Sequence, residues 1–204
     1  MGALLVTLFA VSTSLIEATY APIGGHDGVE VYQRKDAATT ELAAVGEFDA
    51  PPAEVQAALL DYDAHVRINP HLMESRVLER RVGEALVYQH LKLPVIKDRD
   101  FTLRVSWGEG APRGFRFRID SGAGPAASDK AVRMTTLTGR WNLEPIRGGN
   151  GTRAVYHVQI DFAGNVPPWM VRGGAAKDLP GVYVGVRRLV NERHAGRVGA
   201  VSRR

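Results

Sequence analysis

Hydrophobic and polar positions alternate with a period of two through the middle of the chain. Phe101, Leu103, Val105 and Trp107 alternate with Asp100, Thr102, Arg104 and Ser106, and Phe115, Phe117 and Ile119 alternate with Arg116 and Arg118. This pattern predicts antiparallel strands with one apolar and one wet face. The same reading places strands at 29–32, 42–48, 76–82, 85–93, 100–107, 114–120, 132–143 and 153–162. Turn signals separate them at Gly83-Glu84, Gly108-Glu109-Gly110, Ser121-Gly122 and Gly148-Gly149-Asn150-Gly151.

The period changes to helical twice. Asp49-Ala50-Pro51-Pro52-Ala53-Glu54 opens a helix, with Asp49 or a neighbour as cap, proline in the first turn and Glu54 at the positive end of the dipole. Val55, Ala58, Leu59 and Tyr62 carry its apolar stripe, and Asn69-Pro70 closes the region. After Pro167-Pro168, the positions Trp169, Met170, Val182, Tyr183, Val186, Leu189 and Val190 mark a long amphipathic helix ending near His194. Gly173-Gly174 and Pro180 weaken its middle, at on the order of 1 kcal/mol per glycine. The pattern fits either a break into two helices or one soft helix that swings as a lid. A curved sheet with its apolar face against one long C-terminal helix is an α+β layout.

Charge and composition narrow the function. The chain has 204 residues, no cysteine and a formal net charge of +4. Thiolate metal sites, iron–sulfur clusters, disulfides and a cysteine nucleophile are excluded. The surplus charge lies at the end, where Arg187, Arg188, Arg193, Arg197, Arg203 and Arg204 face only Glu192. No aromatic residue follows Tyr183, so the stacking platforms of a nucleic-acid groove are missing there. The tail reads as a solvated end or as a contact for anionic lipid headgroups.

Ala3 to Ile16 is apolar apart from Thr and Ser. It is shorter than the roughly 20 residues of a membrane-spanning helix and matches the apolar core of a secretory signal. Cleavage sites are available after Ala18 or at Thr19-Tyr20-Ala21. The expected organisation is a signal peptide at 1–21, one domain at 22–194 and a basic tail at 195–204. The expected location is periplasmic or secreted, or cytoplasmic if the apolar stretch is not a signal.

Enzymatic signatures are sparse. There is no Gly-x-Ser-x-Gly elbow and no phosphate loop. The six histidines (26, 65, 71, 90, 157 and 194) form no helical metal pair. Asp98 and Asp100 flank Arg99 and read as a surface ion pair at a strand start.

Several elements occur in a recognisable order. They are Gly28-Val29-Glu30-Val31-Tyr32, Asp49-Ala50-Pro51 with Leu59-Leu60-Asp61, and Val87-Tyr88 with Leu93-Pro94 and Arg99-Asp100-Phe101. Val132-Arg133, Trp141 and Pro145 follow, then Ile160-Asp161-Phe162-Ala163-Gly164-Asn165-Val166-Pro167. The series resembles a START (StAR-related lipid-transfer) domain, a bacterial member of the helix-grip superfamily. The resemblance implies a strongly curved antiparallel sheet wrapped around the C-terminal helix, with an internal hydrophobic tunnel. It implies one sterol, phospholipid or similar lipid as ligand, no cofactor, and a monomer.

On that basis Phe101, Leu103, Val105, Phe115, Phe117, Met134 and Trp141 are the expected tunnel walls, and Trp169, Met170, Gly174, Tyr183 and Val186 are the helix side. Each could equally be plain core. Some family members hold an acid and an arginine in the tunnel. His90 falls at the acid's position and Val105 at the arginine's, which points to a largely apolar ligand. Tyr88 and His90, on one face of their strand, are the expected orienting contacts. Relatives of the same architecture are polyketide aromatase/cyclases, for which Tyr88, His90 and His157 would be the acid–base set.

Overall fold

The computed structural model describes residues 19–35, 37, 39–93, 96–108, 113–127, 129–163, 166 and 168–201, with the backbone alone for 168–170, 172, 175 and 194–201. The apolar stretch Ala3–Ile16 lies outside the described residues.

Ten strands form one sheet: β1 (Tyr20–His26), β2 (Val29–Arg34), β3 (Thr40–Phe48), β4 (Leu72–Arg81), β5 (Glu84–Leu91), β6 (Asp98–Trp107), β7 (Arg113–Ile119), β8 (Ala131–Arg133), β9 (Thr136–Ile146) and β10 (Gly151–Asp161). Their order is β1-β2-β3-β10-β9-β7-β6-β5-β4, with β8 pairing parallel to the start of β6. All other pairs are antiparallel. Between β3 and β4 lie α1 (Pro52–Leu59) and a 3-10 helix (Tyr62–Arg67), and α2 (Pro168–Val201) closes the chain. This is the α+β layout expected from the pattern and the helix-grip fold that the resemblance implies.

The sequence pattern missed β1, because Gly24-Gly25 and Pro22 interrupt its alternation. Its turn to β2 is Asp27-Gly28, both left-handed (φ 52° and 71°), the backbone that a two-residue I′ hairpin demands. The expected 132–143 strand divides into β8 and β9 at Met134, whose amide donates to the Asp100 carbonyl at 2.9 Å. Asp49 does not cap α1: Pro51 occupies the cap without a side-chain bond, and Asp49 accepts from Arg147 at 2.7 Å.

α2 is one continuous helix through Gly173, Gly174 and Pro180, and it extends past His194 to Val201. Contacts made by its C-terminal half outweigh the weak propensity of its middle. Tyr183, Val186, Leu189 and Val190 are buried against the sheet, each contributing about 1.5–3 kcal/mol by area removed from water. The Tyr183 ring stacks on Phe48 with centroids 5.4 Å apart, and a Cβ on Gly46 would stand 2.8 Å from that ring. Only glycine allows this approach. The Tyr183 hydroxyl shares its proton between the carbonyls of Ala44 (2.9 Å) and Ala154 (3.1 Å). Arg187 donates to the carbonyls of Glu47 and Asp27, and Arg193 pairs with Asp61 at 2.5 Å. Two of the arginines read as a charge surplus therefore fasten the helix.

Candidate functional site

Between the inner face of the sheet and α2 the chain encloses a cavity of about 580 Å³, within the range of small-molecule sites. Strand registry builds its walls. Phe101 and Leu103 of β6 pair with Gln89 and Val87 of β5, Leu103 with Ile119 of β7, and Phe115 and Phe117 of β7 with Trp141 and Gly139 of β9. A Cβ on Gly139 would lie 2.4 Å from the Phe117 ring, so this glycine makes room for a wall residue. Tyr156, Val158 and Ile160 of β10 and Leu42 of β3 continue the surface. The roof is the N-terminal half of α2, through Val171, Gly173, Gly174, Lys177, Asp178, Leu179 and Val182.

Of the expected contacts, Phe101, Leu103, Phe115, Phe117, Trp141 and Gly174 line this cavity. Val105, Met134, Tyr183 and Val186 do not; they are wholly buried in the packing between sheet and helix. Trp169 and Met170 lie on α2, where side chains are outside the described residues.

Tyr88 and His90 are placed differently from the expectation. Registry sets Tyr88 opposite Thr102 and His90 opposite Asp100, on the outer face of the sheet. There the Tyr88 hydroxyl donates to Asp100 at 3.2 Å, Arg133 binds both oxygens of Asp100 at 2.8 and 2.9 Å, and His90 pairs with Asp98 at 2.9 Å. Burial, reinforced by the Asp100 charge, pushes the Tyr88 hydroxyl up to about 12. Burial alone would raise Asp100, but the hydrogen bonds and charge of Arg133 win and lower it. His157 is also on the outer face, its ring edge-on to Tyr20 at 6.1 Å. None of the three histidine and tyrosine side chains expected as an acid–base set reaches the cavity.

The reading of Asp98, Arg99 and Asp100 as a surface pair is corrected as well. Arg99 and Asp100 are buried. Arg99 lies on the inner face, donating to the carbonyls of Lys97, Phe162 and Ala163. It ties the end of β10 to the start of β6 and has no donor directed at the cavity.

The polar lining comes from Tyr62, His65, Asn69, His71, Gln89, Tyr156, Lys177 and Asp178; the pattern had given Tyr62 to the apolar stripe of the first helix, Gln89 and Tyr156 to strands, and Asn69 to the close of the helical region. Tyr62 and His65 belong to the 3-10 helix, their ring centroids 4.5 Å apart. The His65 Nε2–H donates to the Leu59 carbonyl at 2.9 Å. Burial lowers His65 to about 4, against the upward pull of that bond, Asp61 and Asp63, so the imidazole is neutral at physiological pH. Burial raises Tyr156, and burial with the nearby Tyr156 raises Tyr62. These groups meet a ligand as uncharged donors and acceptors. Near the roof, His71 pairs with Asp178 of α2 at 3.3 Å. Among the described residues no cluster of three or more histidine, aspartate or glutamate side chains could hold a metal ion.

A curved sheet gripping a C-terminal helix over an apolar cavity defines a hydrophobic-ligand-binding class. The chain belongs to the polyketide cyclase / dehydrase and lipid transport family, whose profile matches residues 48–183. Its fold is similar to that of the STAR-related lipid transfer protein of Xanthomonas axonopodis (TM-score 0.73, 18% identity, covering 85% of this chain and 99% of that one). Human STARD10 is similar at TM-score 0.73 and 16% identity, covering 100% of this chain and 86% of that one. The Zhui aromatase/cyclase of a Streptomyces species is similar at TM-score 0.54 and 18% identity, covering 78% and 94%. No curated protein matches the chain by sequence.

Proposed function

We propose that this protein binds one hydrophobic lipid molecule in the cavity beneath α2 and carries it between membranes. The observation behind this reading is the cavity itself: about 580 Å³ walled mainly by Phe, Leu, Val, Ile and Trp side chains, with a handful of polar groups and with Lys177 and Asp178 on its roof. An apolar ligand gains about 25 cal/mol per Å² of surface removed from water, with no reaction required of the protein. The cyclase reading draws on the family description and on the likeness to the Zhui fold. Against it, Tyr88, His90 and His157 all stand outside the cavity. Export through the Ala3–Ile16 stretch belongs to the same proposal. A cut after Ala18 would leave β1 whole, whereas a cut after Ala21 would remove its first two residues.

The test is transfer of a fluorescent lipid between vesicles. Protein-dependent transfer supports carriage; no transfer, together with turnover of a polyketide analogue, supports the cyclase. Deleting the residues after His194 examines the tail. Slower transfer to anionic vesicles at low salt assigns it a membrane contact, and equal rates remove that role.

A further inference from the structure

The cavity holds a set of polar atoms that the protein does not satisfy. Tyr62 is 4% exposed and Gln89 7% exposed, and both line the cavity. Ser75 Oγ donates to the Tyr62 backbone carbonyl at 2.6 Å, and Gln89 Nε2 donates to Ser75 Oγ at 3.0 Å. This chain fixes the Gln89 amide beside the 3-10 helix. The Gln89 carboxamide oxygen and the hydroxyls of Tyr62 and Tyr156 have no partner among the described residues. Tyr156 is held by Trp141, with ring centroids 4.6 Å apart, and lies near enough to Tyr62 to act on its ionisation. These three atoms open into the cavity and are not sealed in packing, so a ligand that displaces water there must replace its hydrogen bonds or leave the atoms unmet.

We propose that the ligand carries an uncharged hydroxyl or carbonyl group, and that Tyr62, Gln89 and Tyr156 hold that group inside the cavity. Two tyrosine hydroxyls and a carboxamide offer both donors and acceptors, which suits a neutral oxygen of either kind. The cations nearest to them are Arg80, beside Tyr62, and Lys177 on the roof; both are exposed to solvent, and Arg80 donates to the Leu60 carbonyl. The inner-face guanidinium of Arg99 is committed to backbone carbonyls, and Asp178 at the roof is paired with His71. A carboxylate or phosphate at the same point would leave water with only solvent-exposed cations to meet it. The inference rests on the cavity-binding reading and makes it specific: neutral amphipaths over anionic ones.

The experiment measures displacement of 1-aminoanthracene from the full chain by dodecane, dodecan-1-ol and laurate. Dodecan-1-ol is expected to bind about ten-fold more tightly than dodecane, the scale of one well-made hydrogen bond. In Tyr62→Phe/Tyr156→Phe, and independently in Gln89→Met, the ratio of the two affinities should fall towards about one. Equal binding of dodecane and dodecan-1-ol to the natural protein overturns the inference and leaves the cavity-binding reading intact. Tighter binding of laurate than of dodecan-1-ol also overturns it. Failure of all three to displace the probe overturns the cavity-binding reading itself.

Discussion

His65 couples the cavity to pH in a way that can be worked through quantitatively. In the unfolded chain a histidine titrates near 6.5; in the fold, burial lowers His65 to about 4. Its incompletely buried surface faces the cavity. Above pH 6.5 both states are neutral at this site and stability is unaffected. Between pH 6.5 and 4 the unfolded chain takes up a proton that the folded chain refuses, so stability falls as pH falls. The loss from this residue is about 2 kcal/mol at pH 5 and levels off near 3 kcal/mol below pH 4. For a domain of this size 2 kcal/mol corresponds to a fall in Tm of roughly 4–8 °C. His65→Gln keeps a donor for the Leu59 carbonyl and has no titrating group. Thermal unfolding of both proteins from pH 7 to pH 5 isolates the effect, because other titrating groups contribute equally to the two curves. The variant should lose this part of the acid sensitivity. Parallel curves would show that His65 takes up its proton in the fold as freely as in water and would refute the reasoning.

Other predictions concern the frame and the roof of the cavity. Tyr183→Phe removes the proton shared by the Ala44 and Ala154 carbonyls, and chemical denaturation should show a loss of about 1–3 kcal/mol. An unchanged midpoint would mean that stacking on Phe48 alone fastens α2. Asp100→Asn leaves Arg133 without its bidentate partner and should cost about 2 kcal/mol at pH 7. Because the folded Asp100 pKa is lowered, the advantage of the natural protein should vanish as pH falls through the folded value, and a difference that persists in acid would contradict the assignment. Cysteines at positions 71 and 178, joined by a short bismaleimide, should lock the N-terminal half of α2 over the cavity. Ligand exchange between vesicles should then slow, and an unchanged rate would place the ligand's path elsewhere.

The inner face of the sheet was legible where alternation was unambiguous. In β6 and β7 large apolar residues alternate with charged or hydroxylated ones, and the expected Phe101, Leu103, Phe115 and Phe117 line the cavity. In β5 both faces carry apolar residues, Ala85 and Val87 on one and Leu86 and Tyr88 on the other, so composition cannot orient the strand. Only pairing with β6 does, and it turns Tyr88 and His90 outward. Tyr62, Gln89 and Tyr156 escaped notice for a related reason. Each occupies a regular core-facing position, and its functional character lies in an unsatisfied polar atom that no spacing reveals. Local propensity left α2 open between one helix and two, and its continuity through Gly173, Gly174 and Pro180 depends on long-range contacts of Tyr183, Arg187 and Arg193.

Native mass spectrometry of the protein purified from a lipid-containing host, before and after incubation with vesicles, tests the account most directly. A single lipid retained per chain, released on unfolding, is the expected result. A chain that emerges at its bare mass under both conditions would contradict a lipid-binding cavity beneath α2.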